Sequence, residues 1–181
     1  MSLHEPDFSS DPQSLTVDSI QWECHRFTDL AVLCFIVVNG RILLINKKRG
    51  LGAGKVNGPG GRLERGETPE QAAVRETQEE VGLTPTGLEK RAELSFVFTD
   101  GYSLFVSAFF ANGFTGTPIE TDEALPFWCP VPEIPYGRMW ADDRLWLPEA
   151  LSGAFVRGRF VFDNDEMRSN RIEIDRKPKV S

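Results

Sequence analysis

A chain of 181 residues with a formal net charge of −7 is sized for one domain with short ends. That charge speaks against a non-specific nucleic-acid binder or an anionic-membrane binder, since either would present a basic face. It leaves a small nucleotide ligand open, because a bound divalent metal can reverse the local sign. A hydrophobic fraction of 40% supplies an ordinary core at this length. The cysteines, Cys24, Cys34 and Cys129, are far apart and form no CxxC pair, which reads as free thiols in a reducing cytoplasmic protein. The longest apolar run, Leu30–Val38, is strand-sized, so no membrane span is expected. Residues 1–20 are rich in Ser, Asp and Pro, have no apolar signal-like stretch, and are expected to be a disordered tail. A single domain over 21–175 and a polar end over 176–181 complete the organisation, and a monomer is expected.

In chain order, Leu30–Val38 and Arg41–Ile45 are apolar, β-branched runs separated by Asn39-Gly40. Asn-Gly suits a type I′ turn, in which both central residues have positive φ, so these runs predict a hairpin. Asn46–Glu67 shows no strand or helix pattern, and a loop that long is commonly functional. It satisfies neither the Walker A spacing nor G-x-G-x-x-G, but Gly58-Pro59-Gly60-Gly61 is a turn cluster that fixes its path. Pro69–Val81 predicts a helix: Thr68 at the N-cap, Pro69 at N1, Gln71 at N3 and Gly82 past the end. A second hairpin, Glu93–Thr99 with Tyr102–Ala111, turns at Asp100-Gly101. Strands are expected near Pro126–Cys129, Ala154–Asp163 and Arg171–Ile174, and a short helix from Asp142-Asp143 to Ser152-Gly153. Strands on both sides of a helix, with another helix late, point to a mixed sheet with helices on its faces.

Ala73, Thr77 and Val81 recur at i, i+4, i+8 and should face the sheet, while Glu76, Glu79 and Glu80 fall on another face at i, i+3, i+4. Carboxylates near a helix C-terminus oppose the macrodipole and repel one another. A solvated acidic face is one explanation. The other is a cation completing the cluster: carboxylate oxygens plus a carbonyl from Gly60 or Gly61 suit Mg²⁺, with Mn²⁺ as a substitute, better than zinc. On that reading the glycine loop brings backbone to the metal and the helix brings charge.

These residues resemble the Nudix hydrolase signature. Gly61, Glu67, Arg75-Glu76, Glu79-Glu80 and Gly82-Leu83 match it, and Thr77 occupies an aliphatic position. "KKRGLGAGKVNGPGG", "GTPIETDEALPFW" and "IPYGRMWADDRLWLP" are similar to stretches of the oxidised-purine nucleoside triphosphatases, over about Leu30 to Phe162. The resemblance implies an α/β class chain with the Nudix fold, an α/β/α sandwich on a mixed β-sheet. It also implies cleavage of a nucleoside triphosphate such as 8-oxo-dGTP to monophosphate and pyrophosphate. Glu76, Glu79, Glu80 and Glu123, with the Gly60 carbonyl, would hold Mg²⁺, and Glu80 or Glu123 would be the general base. Arg75 and Glu67 would brace loop against helix. Lys47, Asn57, Gly61, Phe96, Phe98, Trp140, Asp142 and Asp143 would bind the nucleotide, with Leu104 beside them. Read alone, Trp140 suits a core and Asp142-Asp143 a helix cap. In an apolar pocket two adjacent carboxylates do not both ionise, so one donates and one accepts, which matches an oxidised purine edge. Leu51 stands where the animal enzymes carry an aromatic, thinning one wall. The signature also admits a dinucleotide, an ADP-sugar or an RNA 5′ end as substrate, or a nucleotide sensor without turnover.

Overall fold

A computed structural model describes residues 14–176. The first hairpin forms from β1 (Asp29–Val38) and β2 (Arg41–Lys47). Asn39 and Gly40 take φ of 51° and 72°, the left-handed pair a type I′ turn requires. β6 (Glu89–Phe98) and β7 (Ser103–Ala111) form the second hairpin. β10 (Phe155–Asp163) and β11 (Glu166–Asp175) form a third. β1 runs parallel to β7 and β10 runs parallel to β6, while the hairpins are antiparallel, so the sheet is mixed. The strand order is β11-β10-β6-β7-β1-β2-β3, where β3 is Val56–Asn57. β4 (Gly60–Arg62) pairs with β1, and β9 (Ala124–Pro130) pairs with β2. β5 (Thr84–Thr86) and β8 (Gly113–Thr115) make a separate small sheet.

One helix covers each face. α1 (Pro69–Val81) buries Ala73, Thr77 and Val81 against Val32, Cys34, Ile36 and Phe109. Its N-terminus closes with the expected reciprocal pair: Thr68 N donates to Gln71 Oε1 at 2.9 Å, and Gln71 N to Thr68 Oγ1 at 3.2 Å. Gly82, at φ 74°, ends it by donating its N–H to Gln78 O. Thr77 donates its hydroxyl to Ala73 O at 2.7 Å, so a threonine in an aliphatic slot leaves no buried donor unpaired. α2 (Asp143–Leu151) buries Trp146, Leu147 and Ala150 on the other face, with Phe35, Phe110 and Phe160. The result is the α/β/α arrangement expected, and among the described residues no helix is long and apolar enough to cross a membrane.

Two expectations need correction. The stretch 46–67 is not structureless, because β2 runs on to Lys47 and both β3 and β4 lie within it. Gly60 and Gly61 pair with Leu33 and Val32 of β1. Glycine carries no side-chain alternation, so strands whose partners are distant in sequence leave no periodic trace. The expected tail is also shorter than 1–20. Val17 is buried, its N–H donates to Ser169 Oγ at 2.8 Å, and its carbonyl accepts from Trp22 Nε1 at 2.7 Å. The segment reaches β11 through Val17 N and through Asp18, which pairs with Arg171, and buries one apolar side chain, too little to show as a pattern. The rest of that expected tail, residues 1–13, and residues 177–181 of the expected polar end lie outside the described residues.

Candidate active site

An open cavity of about 450 Å³ lies on the α2 face of the sheet. Its walls follow from strand alternation, in which every second residue points the same way. Ala31 and Leu33 of β1, Leu94, Phe96 and Phe98 of β6, and Leu104 and Val106 of β7 line it. Phe96 stacks on Phe160 with centroids 5.2 Å apart, so its ring serves core and cavity together. Trp140, Asp142 and Asp143 enter from the start of α2, and Asn57 from β3. Lys47, Gly60, Gly61 and Glu123 complete the lining toward α1.

At the α2 end, Asp142 and Asp143 are only 2% and 3% exposed. Burial pushes the Asp142 carboxyl up to about 7. Burial, reinforced by the neighbouring Asp142, raises Asp143 well above the usual carboxylate range. Neighbouring carboxyls raised in this way resist ionising together. Asp142 does not cap α2. Its backbone is already helical and its side chain makes no capping bond. Its Oδ2 accepts instead from Trp146 Nε1 at 3.1 Å, and Asp143 Oδ2 accepts from Trp140 N at 3.1 Å. Asp142 Oδ1 is buried without a partner among the described residues, a costly state that a donor from a ligand would relieve. Asn57 Oδ1 accepts from Gly58 N at 2.8 Å, which leaves its N–H donors available to a base edge.

At the α1 end the carboxylates are held by cations. Arg75 Nη1 donates to Glu76 Oε1 at 2.7 Å and to Glu79 Oε2 at 3.1 Å. The same guanidinium grips Glu67 through Nε and Nη2, both at 2.8 Å, and reaches Arg62 O at 3.0 Å. Arg75 thereby ties the loop to the helix, and its hydrogen bonds, with one from Glu64 N, hold the Glu67 carboxyl down at about 2. Glu80 is 1% exposed; it accepts from Gly60 N at 3.0 Å and pairs with Lys47 at 3.4 Å. Burial raises Glu80 despite Lys47, and burial raises Glu76, with Glu79 and Glu123 adding repulsion.

Glu76, Glu80 and Arg75 do not line the cavity themselves; they stand behind Gly60 and Gly61. Glu79 is 61% exposed, and Glu123 pairs with Arg49 at 2.7 Å. As they stand, no three acidic, cysteine or histidine side chains converge on a common point among the described residues. The donor set still suits a hard divalent cation. It is all oxygen, partly desolvated and mutually repelling, and Glu76 Oε2 accepts no bond among the described residues. The two glycines are required by contact. A Cβ on Gly61 would lie 2.4 Å from the Glu76 carboxyl carbon, and one on Gly60 would lie 2.1 Å from Val32 O. Gly61→Ala is expected to displace the Glu76 carboxylate and lower kcat by about 10²-fold. Its melting temperature should stay near wild type, and thermal melts with steady-state rates check both.

Sequence reading missed Tyr102 and Arg62, which line the cavity, and Asp29, which holds both. Tyr102 donates its hydroxyl to Asp29 Oδ2 at 2.9 Å, and Arg62 Nε pairs with the same oxygen at 3.1 Å. The three meet only through tertiary pairing of β1, β4 and β7, so no local spacing announces them. The Arg49–Glu123 pair was missed for the same reason. Leu51 is exposed and lines the cavity.

The site joins a buried carboxyl pair that lines the cavity to a braced glutamate helix behind its glycine wall. Comparison with known proteins gives its class. The NUDIX domain model matches residues 28–150. An "Oxidized purine nucleoside triphosphate hydrolase" of Danio rerio is 45% identical over 139 residues, covering 76% of this chain and 89% of that protein. A protein of the same name from Mus musculus is 40% identical over 149 residues, covering 81% and 96%. The crystal structure of a MutT protein from Bacillus halodurans superposes with a TM-score of 0.71 at 25% identity, covering 80% of this chain and 97% of that one. The chain belongs to the Nudix hydrolase family.

Proposed function

We propose that the protein hydrolyses oxidised purine nucleoside triphosphates, 8-oxo-dGTP among them, to the nucleoside monophosphate and pyrophosphate, and so cleanses the nucleotide pool. The observation that carries this reading is the Asp142–Asp143 pair, buried with both carboxyls raised, in the same cavity as Gly60 and Gly61. An 8-oxopurine differs from guanine by an oxygen at C8 and a proton on N7. A carboxyl pair that offers one donor and one acceptor, with the Asn57 amide beside it, suits that edge. The names of the relatives from Danio rerio and Mus musculus support the same substrate class. We read the chain as a cytoplasmic monomer acting on a small-molecule nucleotide, a setting its free thiols suit.

Glu76, Glu79, Glu80 and Glu123, with the Gly60 carbonyl, would hold Mg²⁺, which when bound neutralises phosphate charge and acidifies an attacking water. The chain supplies the rest. Trp140, Phe96 and Phe98 enclose the base and exclude water. Lys47, 18% exposed beside Glu80, meets the phosphates. Glu80, lifted by burial, accepts the proton of the attacking water as general base. Arg75 and Glu67 keep the loop against α1 and touch no substrate. Phosphoryl transfer demands mainly positioning and charge stabilisation, so this inventory is sufficient.

Product analysis tests the reading. With 8-oxo-dGTP and titrated Mg²⁺, oxidised monophosphate and pyrophosphate should appear in equal amounts and stop on addition of a chelator. Release of inorganic phosphate with a nucleoside diphosphate, or turnover indifferent to the chelator, would overturn it.

A further inference from the structure

We propose that Lys55 is a positioning residue for the Trp140 ring, and that Asp165, in the turn between β10 and β11, holds Lys55 in place. The Lys55 ammonium lies over the Trp140 ring, 5.0 Å from its centroid, and pairs with Asp165 Oδ2 at 3.0 Å. Trp140 lines the cavity and Lys55 does not, so the cation reaches the ring without itself lining the space proposed for the base. Phe98 and Phe162 meet the same ring edge-on, at 77° and 87°, with centroids 6.3 and 5.4 Å away. The backbone approaches at the indole nitrogen, where a Cβ on Gly52 would lie 2.8 Å from Nε1.

Lys55 is itself pinned. Its N–H donates to Gly52 O and its carbonyl accepts from Lys47 N, both at 3.0 Å. Its side chain is 22% exposed, against 72% for Asp165, so the ammonium is partly shielded where a cation–π contact gains strength. Lys55 of the glycine loop and Asp165 of the distant β10–β11 hairpin thus act together on one aromatic ring, and neither lines the cavity. The inference rests on the proposal that Trp140 encloses the base, and takes the purine to stack on its ring. Stacking is blind to the edges of the base, which Asp142, Asp143 and Asn57 read. Loosening the ring should therefore weaken oxidised and unmodified purines alike, and should act on binding more than on the chemical step.

The test uses the full chain labelled with 5-fluorotryptophan, its Trp140 resonance assigned by loss in Trp140→Phe. Lys55→Met keeps the aliphatic stem and removes the charge. It is expected to shift the Trp140 ¹⁹F resonance and to raise KM for both 8-oxo-dGTP and dGTP by about three- to five-fold, with a smaller change in kcat. Lys55→Arg should restore both readouts, and Asp165→Asn should move both in the direction of Lys55→Met. An unmoved Trp140 resonance with unchanged KM in Lys55→Met overturns the inference. So does a loss that Lys55→Arg fails to restore, since that would reflect bulk rather than a placed cation. If the wild-type protein turned over no purine triphosphate, the proposed substrate class would fall, while the resonance of the free protein would still decide whether Lys55 positions the ring.

Discussion

Glu80→Gln is expected to lower kcat for 8-oxo-dGTP by at least about 10³-fold, the scale of losing the general-base and metal-binding roles proposed for it. It should leave the fold standing. The amide oxygen can still accept from Gly60 N, which donates to Glu80 Oε2 at 3.0 Å. The change also removes a charge that burial disfavours, because the Glu80 carboxyl is raised by desolvation more than Lys47 and Gly60 lower it. A group whose folded-state pKa lies above its unfolded value costs stability once pH exceeds the unfolded value. Above neutrality the variant should therefore melt no lower than wild type. Circular-dichroism melts beside single-turnover rates check both halves. Wild-type turnover with an unchanged melt would remove Glu80 from the chemistry.

Asp142→Asn is expected to act oppositely on stability and activity. The folded Asp142 carboxyl titrates at about 7 against an ordinary value of 3.8. Between those two pH values the folded chain keeps a proton that the unfolded chain has lost, so wild-type stability falls as pH climbs through the window and levels off above it. Asparagine removes that titration and also spares Asp143 a charged neighbour. The gain above about pH 7 should be one to a few kcal/mol, at ~1.4 kcal/mol per unit of pKa, or several degrees in Tm for a domain of this size. Below about pH 4 the two proteins should converge. Activity should fall, because asparagine cannot supply the choice of donor or acceptor that the carboxyl pair is proposed to offer the base edge. kcat/KM for 8-oxo-dGTP is expected to drop about 10- to 100-fold, with much less change for dGTP. A melt unchanged at pH 8 together with unchanged discrimination would return Asp142 to a purely structural part of α2.

Most of this architecture was legible before any coordinates because its signals are local. Asn39-Gly40 specifies its turn by backbone conformation alone. The Thr68/Gln71 pair and Gly82 mark both ends of α1 within a few residues of each other. The spacing of Glu76, Glu79 and Glu80 announced an acidic helix face, but not how it divides. Glu80 turns under Gly60 into the interior, whereas Glu79 stays in solvent on Arg75. That division depends on where β4 crosses the helix, and β4 is built from glycines that carry no pattern. Asp142 shows the same limit. A carboxyl before a helix reads as a cap, yet its backbone is already helical and its oxygen goes to Trp146 one turn ahead. Tyr102, Asp29 and Arg62 lay beyond sequence reading because three strands must pair before they meet.

The measurement closest to the central claim is kcat/KM for 8-oxo-dGTP relative to dGTP, taken with the wild-type protein at the same Mg²⁺ concentration near neutral pH. A carboxyl pair placed to read the oxidised edge predicts a ratio of at least about ten, the contribution of one well-placed hydrogen bond in a dry pocket. A ratio near one, or a preference for dGTP, would contradict the account: the glutamate helix would remain, but Asp142 and Asp143 would have no part in choosing the base.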